Sequence, residues 1–547
     1  MVSRSISSSA KLCLVTALVV LGSTASLQVT SAAPAAAATS PVGLFAWGYN
    51  NAGQLGDGTS VGPDSCPGGP CSTTPVAVSL PSGVIPKAIA GGILSGYAVG
   101  SDGHLYAWGS NEAGDLGDGV SGLFDSTTPV VVSLPPGVIP TAVTAAGYNG
   151  YAIGSDGHLY AWGDNTDGEL GDGTSVGPVV CTDTLQPCST TPVAVLLPPG
   201  VTPTAIAAGG DAGYAIGSDG HLYAWGANSF GGLGDGTMTG PDICGSSVPC
   251  STAPVVVLLP PGVTPTAIAA GANGSAYAIG SDGHVYAWGA NDSEQLGNGT
   301  SGGLSTTPVA VLLPPGVTPT AIAAGEVDGY ATGSDRHVYA WGDNQLGELG
   351  DGSGVVASAT PVVVSLPSGV TPEGSTGDDG TAYAIGSDGH LYAWGENNAG
   401  QLGQGTSVGP DVCAGQPCST KPVRVLLPSG TTADGLGSES SSATAYAMAR
   451  AASPLSITTT SLPPGRVGVP YSVTFVATGG NPPYRWSKFG GGRPPPGLSF
   501  SPTGVLSGTP TKAGTRSMTF HVRDTKLAFL TPVNRVFATL TITITIV

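Results

Sequence analysis

Tyr214-Ala215-Ile216-Gly217-Ser218-Asp219-Gly220-His221-Leu222-Tyr223-Ala224-Trp225-Gly226 reads as two short apolar runs joined by a polar turn. Asp219-Gly220 between two strand-like runs predicts a tight hairpin with positive φ at both central residues. The same pattern recurs along the chain. Its Trp-Gly step falls at Trp47, Trp108, Trp162, Trp225, Trp288, Trp341 and Trp394, with spacings of 61, 54, 63, 63, 53 and 53 residues. A repeat of that length with several strands and no helical period predicts a propeller.

The ends of the array are complementary halves. Leu44-Phe45-Ala46-Trp47-Gly48 has the second half of the hairpin without the first. Ala445-Tyr446-Ala447-Met448 has the first half without the second. An open sheet edge invites aggregation. The strand at Trp47 is therefore expected to pair with the strand at Tyr446, closing a ring of seven blades. Within one unit, Pro192–Leu197 and Thr204–Ala208 supply the remaining two apolar runs. The fold class is all-β: a seven-bladed β-propeller over residues 39–452, then a β-sandwich over 453–547.

Composition narrows the class further. With 88 Gly and 47 Pro in 547 residues the chain suits strands and turns. Charged residues are only 9%, yet hydrophobic residues reach 40%, so a core can form. Residues 1–38 read as a secretion signal: Arg4 and Lys11 form the positive end, Leu12–Gly22 the apolar core and Ala35–Ala38 the cleavage region. That core is too short to span a membrane, and no other stretch approaches the length. Cys13 lies ahead of most of it, which argues against lipoprotein cleavage.

The other eight cysteines fall into close pairs: Cys66/Cys71, Cys181/Cys188, Cys244/Cys250 and Cys413/Cys418. Each pair lies in an insertion after a Leu-Gly-x-Gly turn. In an exported chain such pairs are expected to form disulfides. Zinc is the rival reading, but four separate loops without a nearby His do not suit it. Loops on a rigid scaffold often carry function. Asp64, Asp183, Asp242 and Asp411, within these insertions, are the candidate binding residues of the rim.

Charge is uneven. Residues 39–454 carry a net −29 and residues 455–547 a net +8. The acidic part would repel nucleic acid and anionic lipid. The basic part could hold an anionic cell-wall polymer.

Trp162-Gly163-Asp164-Asn165-Thr166-Asp167-Gly168-Glu169-Leu170-Gly171-Asp172-Gly173, and the similar run from Trp394 to Gly405, carry a family likeness. Over about residues 42–450 the chain resembles the regulator of chromosome condensation repeat family. That resemblance implies a seven-bladed propeller serving as a rigid binding platform. The nuclear nucleotide-exchange role of the eukaryotic founder does not suit a chain with an export signal. Exported bacterial members include a β-lactamase inhibitory protein, so the platform can act outside the cell. Residues 455–547 resemble an immunoglobulin-like, cadherin-related domain of bacterial surface proteins, on Leu462–Gly465, Val469–Tyr471, Thr478–Trp486, Pro496–Leu498 and Gly504–Pro510. Some cadherin-like folds bind calcium, which needs several oxygen ligands. Asp524 is the only acid here.

Repeated residues invite functional readings that the repeat itself explains better. His104, His158, His221, His284, His337 and His390 lie one per blade, too far apart to ligate one metal. The seven Trp residues suit blade-to-blade packing. The Asp164–Gly173 turn lacks calcium-loop spacing, with Gly168 at the fifth position. Glu326, Asp328, Arg336 and Lys421 are unrepeated but form no recognisable acid–base set, and no hydrolase or phosphate-binding motif appears.

The expected function is non-catalytic binding of an extracellular protein or glycan, without a cofactor. The alternatives are a secreted lyase or hydrolase acting at the central channel, and a structural surface protein without a ligand.

Overall fold

The computed structural model describes residues 41–547 except 121–124, 182–183, 246, 379, 438–442, 452–454, 480–483, 492 and 525–536. The proposed export signal, residues 1–38, lies outside the described residues. No helix occurs among the described residues, and none there is long and apolar enough to cross a membrane.

Seven antiparallel sheets, each named here by its Trp, form the propeller. In the Trp225 blade the strands run Pro203–Gly209, Ala212–Gly217, Leu222–Ala227 and Val248–Val256 from the channel outward. The inner strand of each blade lies against the inner strands of its two neighbours, so Pro86–Gly91, Pro140–Ala146, Pro203–Gly209, Pro265–Ala270, Pro319–Ala324, Pro372–Gly377 and Thr431–Gly437 form a closed circle. The ring is sealed by the strand Pro41–Tyr49, which pairs with Thr444–Ala451 in a register that sets Ala46 opposite Tyr446 and Trp47 opposite Ala445. The amino-terminal strand thus completes the blade that the end of the array begins.

The hairpin at Asp219-Gly220 differs from the expected turn. Gly220 is left-handed (φ +81°), but Asp219 is not. The Gly220 N–H bonds back to the Gly217 carbonyl at 3.0 Å, so Ser218 and Asp219 are the central residues of the turn and Gly220 is the left-handed residue that follows it. The Asp219 carboxylate ties the turn together, Oδ1 accepting from the His221 N–H and Oδ2 from the Tyr223 hydroxyl at 2.7 Å. His221 Nδ1 stands 3.2 Å from the same Oδ2. The other five histidines sit 3.0–3.3 Å from the Asp of their own turns. Each imidazole therefore has a local partner within its own blade.

The Trp-Gly step is a bulge. Pairing of the Trp162 strand with Pro187–Ala194 shifts between Ala161 and Gly163. Gly163 has φ +103°, and a Cβ there would run into the Tyr148 carbonyl, so only glycine suits it. Opposite Trp162 stands Gly150, whose missing side chain makes room for the indole. After the bulge, the Asn of each Trp-Gly-x-Asn run is buried and its Oδ1 accepts from the N–H of the Leu five residues on, as Asn165 does from Leu170 at 3.1 Å.

Blades join through their aromatic residues. Each Trp is fully buried against the preceding blade. Trp225, for example, packs with Tyr151, Ile153, Leu159, Leu170 and Val195. Tyr151 meets it edge to face, with ring centroids 6.1 Å apart. Burial of a ring this size contributes several kcal/mol, and the edge-on pairing about 1 kcal/mol more.

The carboxyl-terminal part forms separate small sheets, among them Tyr484–Gly491, Gly514–Asp524 and Phe537–Ile546 in one, and Tyr471–Thr474, Val505–Gly508 and Leu498–Phe500 in another. Phe475, Trp486, Phe500 and Phe520 cluster in its core. The side chain of Asp524 lies outside the described residues.

Candidate functional site

Four of the seven sheets carry a fifth strand, and these four hold the cysteine pairs. The structure bonds Cys66 to Cys71, Cys181 to Cys188, Cys244 to Cys250 and Cys413 to Cys418. In the Trp225 blade the added strand Asp242–Cys244 folds back on Val248–Val256, with Cys244 opposite Val248. Strand direction alternates within a blade, so all four hairpins leave the same end of the ring. The histidine turns lie at the other end.

Three of the four rim aspartates hold these hairpins together. Asp64 Oδ2 accepts from the N–H and hydroxyl of Thr73 at 2.9 and 2.7 Å. Asp242 does the same with Thr252, and Asp411 with Thr420. Asp183 lies outside the described residues. Three of the four hairpins present an aliphatic side chain outward: Val180, Ile243 and Val412 are 61%, 65% and 77% exposed, while the fourth has exposed Ser65 at that position.

At the inner margin of this end lies a set of equivalent residues just before each Leu-Gly step: Gln54, Asp115, Glu169, Gly232, Gln295, Glu348 and Gln401. Each backbone carbonyl accepts from the Tyr hydroxyl of one blade at 2.7–3.1 Å. It also accepts from the Trp Nε1 of the next at 2.6–2.9 Å. Six of the seven side chains fold back to accept the N–H two residues earlier. Asp115, Glu169 and Glu348 are buried carboxyls doing the work of an amide. Burial pushes Asp115 and Glu348 up to about 8 and Glu169 well above the carboxylate range.

The channel encloses about 450 Å³ and is walled largely by Ala and Ile, including Ile206, Ala207, Ile268 and Ala323. Its acids are Glu373 and Asp434, and Asp434 Oδ1 is 2.9 Å from Arg450. The unrepeated polar residues are not gathered there. Asp328 is buried at one end of the strand Asp328–Gly333, and Arg336 lies in the turn beyond its other end, about 16 Å away along the strand. Lys421 is exposed on the outer strand Gln416–Arg424.

The Regulator of chromosome condensation (RCC1) repeat model matches residues 43–93, 102–153, 156–216, 219–278, 282–326 and 388–434. The chain belongs to this family. Most of the Trp341 blade lies outside the matched segments yet has the same four strands. A Putative Ig domain model matches residues 453–545.

Among curated relatives, human E3 ubiquitin-protein ligase HERC2 is 28% identical over 377 residues, 66% of this chain but only 7% of the ligase. The Arabidopsis thaliana ultraviolet-B receptor UVR8 is 27% identical over 367 residues, 67% of this chain and 75% of the receptor. Among solved structures, human WBSCR16 superposes with a TM-score of 0.61 at 19% identity, covering 75% of this chain and all of that one. Yeast RCC1 (Prp20), solved bound to Kap60, gives 0.60 at 21%, covering 76% of this chain and 90% of that one. These structures establish the RCC1 propeller fold.

Two positions set the Trp225 blade of this RCC1 propeller apart from the other six. Gly232 alone lacks the folded-back side chain. Beside it, Ala212 occupies a position that is Ser95, Asn149, Ser275, Asp328, Thr381 or Thr444 in the other blades, each opposite the Gly of a Trp-Gly step.

Proposed function

We propose that this is an exported, non-catalytic binding protein whose disulfide-tied end grips an extracellular protein or glycan. The observation that carries this reading is the outward display of Val180, Ile243 and Val412 on hairpins held by disulfides, with Asp–Thr hydrogen bonds adding to the Ile243 and Val412 hairpins. Fixing a hairpin before binding removes part of the ordering cost. The disulfides accord with an oxidising compartment. The basic immunoglobulin-like domain acts as a spacer with affinity for anionic wall polymer, on its net charge of +8 over residues 455–547.

The wall-affinity part is tested by retention of the mature chain on purified bacterial cell wall across a salt series. Retention that weakens with salt supports it, and no retention at low salt overturns it. The loop part is tested by comparing extracellular proteins and glycans retained by the wild type and by a Val180→Ser, Ile243→Ser, Val412→Ser variant. A ligand lost on the variant supports the reading, and identical retention refutes it.

A further inference from the structure

Two truncations meet in the Trp225 blade. Where other blades fill the space beneath the loop with Gln, Asp or Glu, this blade has Gly232. Where they start the second strand with a polar residue, it has Ala212. Together they leave a cavity of about 210 Å³ lined by both residues, at the end of the ring that carries the disulfide hairpins.

The walls are specific in character. Asp167 comes from the preceding blade and Asp211 from the turn just before Ala212, so two acidic residues line one space. Phe230, 45% exposed, and Val248 of the Cys244–Cys250 hairpin supply apolar sides. The same hairpin closes over Asp167: a Cβ on Gly245 would lie 3.2 Å from its Oδ1. That Oδ1 accepts no hydrogen bond and is covered from the cavity by the hairpin, so the accessible edge of the Asp167 side chain is its remaining part. No Lys or Arg lines the cavity. Burial, then repulsion from Asp211 and Asp164, raises Asp167 to about 6. The site is short of positive charge.

A bare divalent ion is a poor fit. Calcium takes six to eight oxygens, and the cavity has the volume of about seven waters. A cation on an aliphatic stem matches better. Its head would meet the carboxylates, while its stem lies along Phe230 and Val248. We infer that this cavity receives a lysine side chain projecting from the protein bound at the disulfide-hairpin end. The inference rests on the binding reading above and names the chemistry of the partner.

Saturation-transfer NMR on the mature chain tests it, with Nα-acetyl-lysine amide as probe and Nα-acetyl-norleucine amide as its uncharged counterpart. The lysine probe should receive saturation and the norleucine probe should not. Gly232→Gln should abolish the signal, and Asp167→Asn should weaken binding about tenfold. Gly232→Gln places there the residue found at Gln54, Gln295 and Gln401. The backbone admits it: the nearest atom to a new Cβ is the Gly274 carbonyl oxygen at 3.2 Å, and φ is not left-handed. Equal signals from both probes, an unchanged signal from Gly232→Gln, or no signal from the wild type would each overturn the inference. Because the probe needs no partner, these results are separate from loss of ligand on the Val180/Ile243/Val412 variant, which judges the loop reading alone.

Discussion

The indole Nε1 of Trp47 donates to the backbone carbonyl of Gln401 at 2.6 Å, joining residues 354 apart in sequence. The same carbonyl accepts from Tyr383, whose ring meets Trp47 edge to face at 5.8 Å. This is the joint used between every other pair of blades, here made by the strand that closes the ring. Trp47→Phe removes one buried hydrogen bond and should cost about 1–3 kcal/mol. Trp47→Ala should cost about 3–5 kcal/mol. Hydrogen exchange should rise first in Pro41–Tyr49 and Thr444–Ala451.

The buried carboxyls set a pH dependence. Asp115 and Glu348, pushed up to about 8 by burial, hold protons in the fold that the unfolded chain releases near pH 4. Over that interval the native state binds more protons, so stability falls as pH rises. Below it, the turn aspartates Asp102, Asp156, Asp219, Asp282, Asp335 and Asp388 act oppositely. Burial raises them, but hydrogen bonds from their Tyr and His partners outweigh it and hold them below the usual range. Their contribution is lost as pH falls through those lowered values. The melting temperature should therefore peak near pH 4–5 and decline toward pH 9. Asp115→Asn with Glu169→Gln and Glu348→Gln should flatten the alkaline side, because three blades already use Gln there.

The disulfides are expected to shape loops more than to hold the ring. They span only 5 to 7 residues, which limits each to about 2 kcal/mol. Cys244→Ser with Cys250→Ser should speed exchange at Asp242–Cys244 and Val248–Val256 and leave protection of Leu222–Ala227 unchanged. Loss of protection throughout the blade would contradict this.

The ring was legible in the sequence because it rests on local patterning. The alternation around Trp225, and the half-motifs at Trp47 and Tyr446, specify strands and their closure without long-range information. The turn at Asp219-Gly220 differs from the expected one because a residue pair does not fix the turn's register: the Gly220 N–H bonds to the Gly217 carbonyl, which puts Ser218-Asp219 at the centre and leaves only Gly220 left-handed. What position in a loop does not show is the local role of the rim aspartates, since Asp64 and Asp242 bond to threonines nine and ten residues on. The cavity beside Phe230 escaped because it is made by two missing side chains, Gly232 and Ala212, that look ordinary until compared with their equivalents.

The disulfide-hairpin end is proposed as the binding surface. The most direct measurement compares extracellular ligands retained by three forms of the mature chain: wild type, Val180→Ser/Ile243→Ser/Val412→Ser, and Ile139→Ser, which alters an exposed side chain at the opposite end. A ligand kept by the wild type and by Ile139→Ser but lost by the triple variant is the predicted result. Equal retention by all three forms, or loss on Ile139→Ser with retention by the triple variant, would refute it.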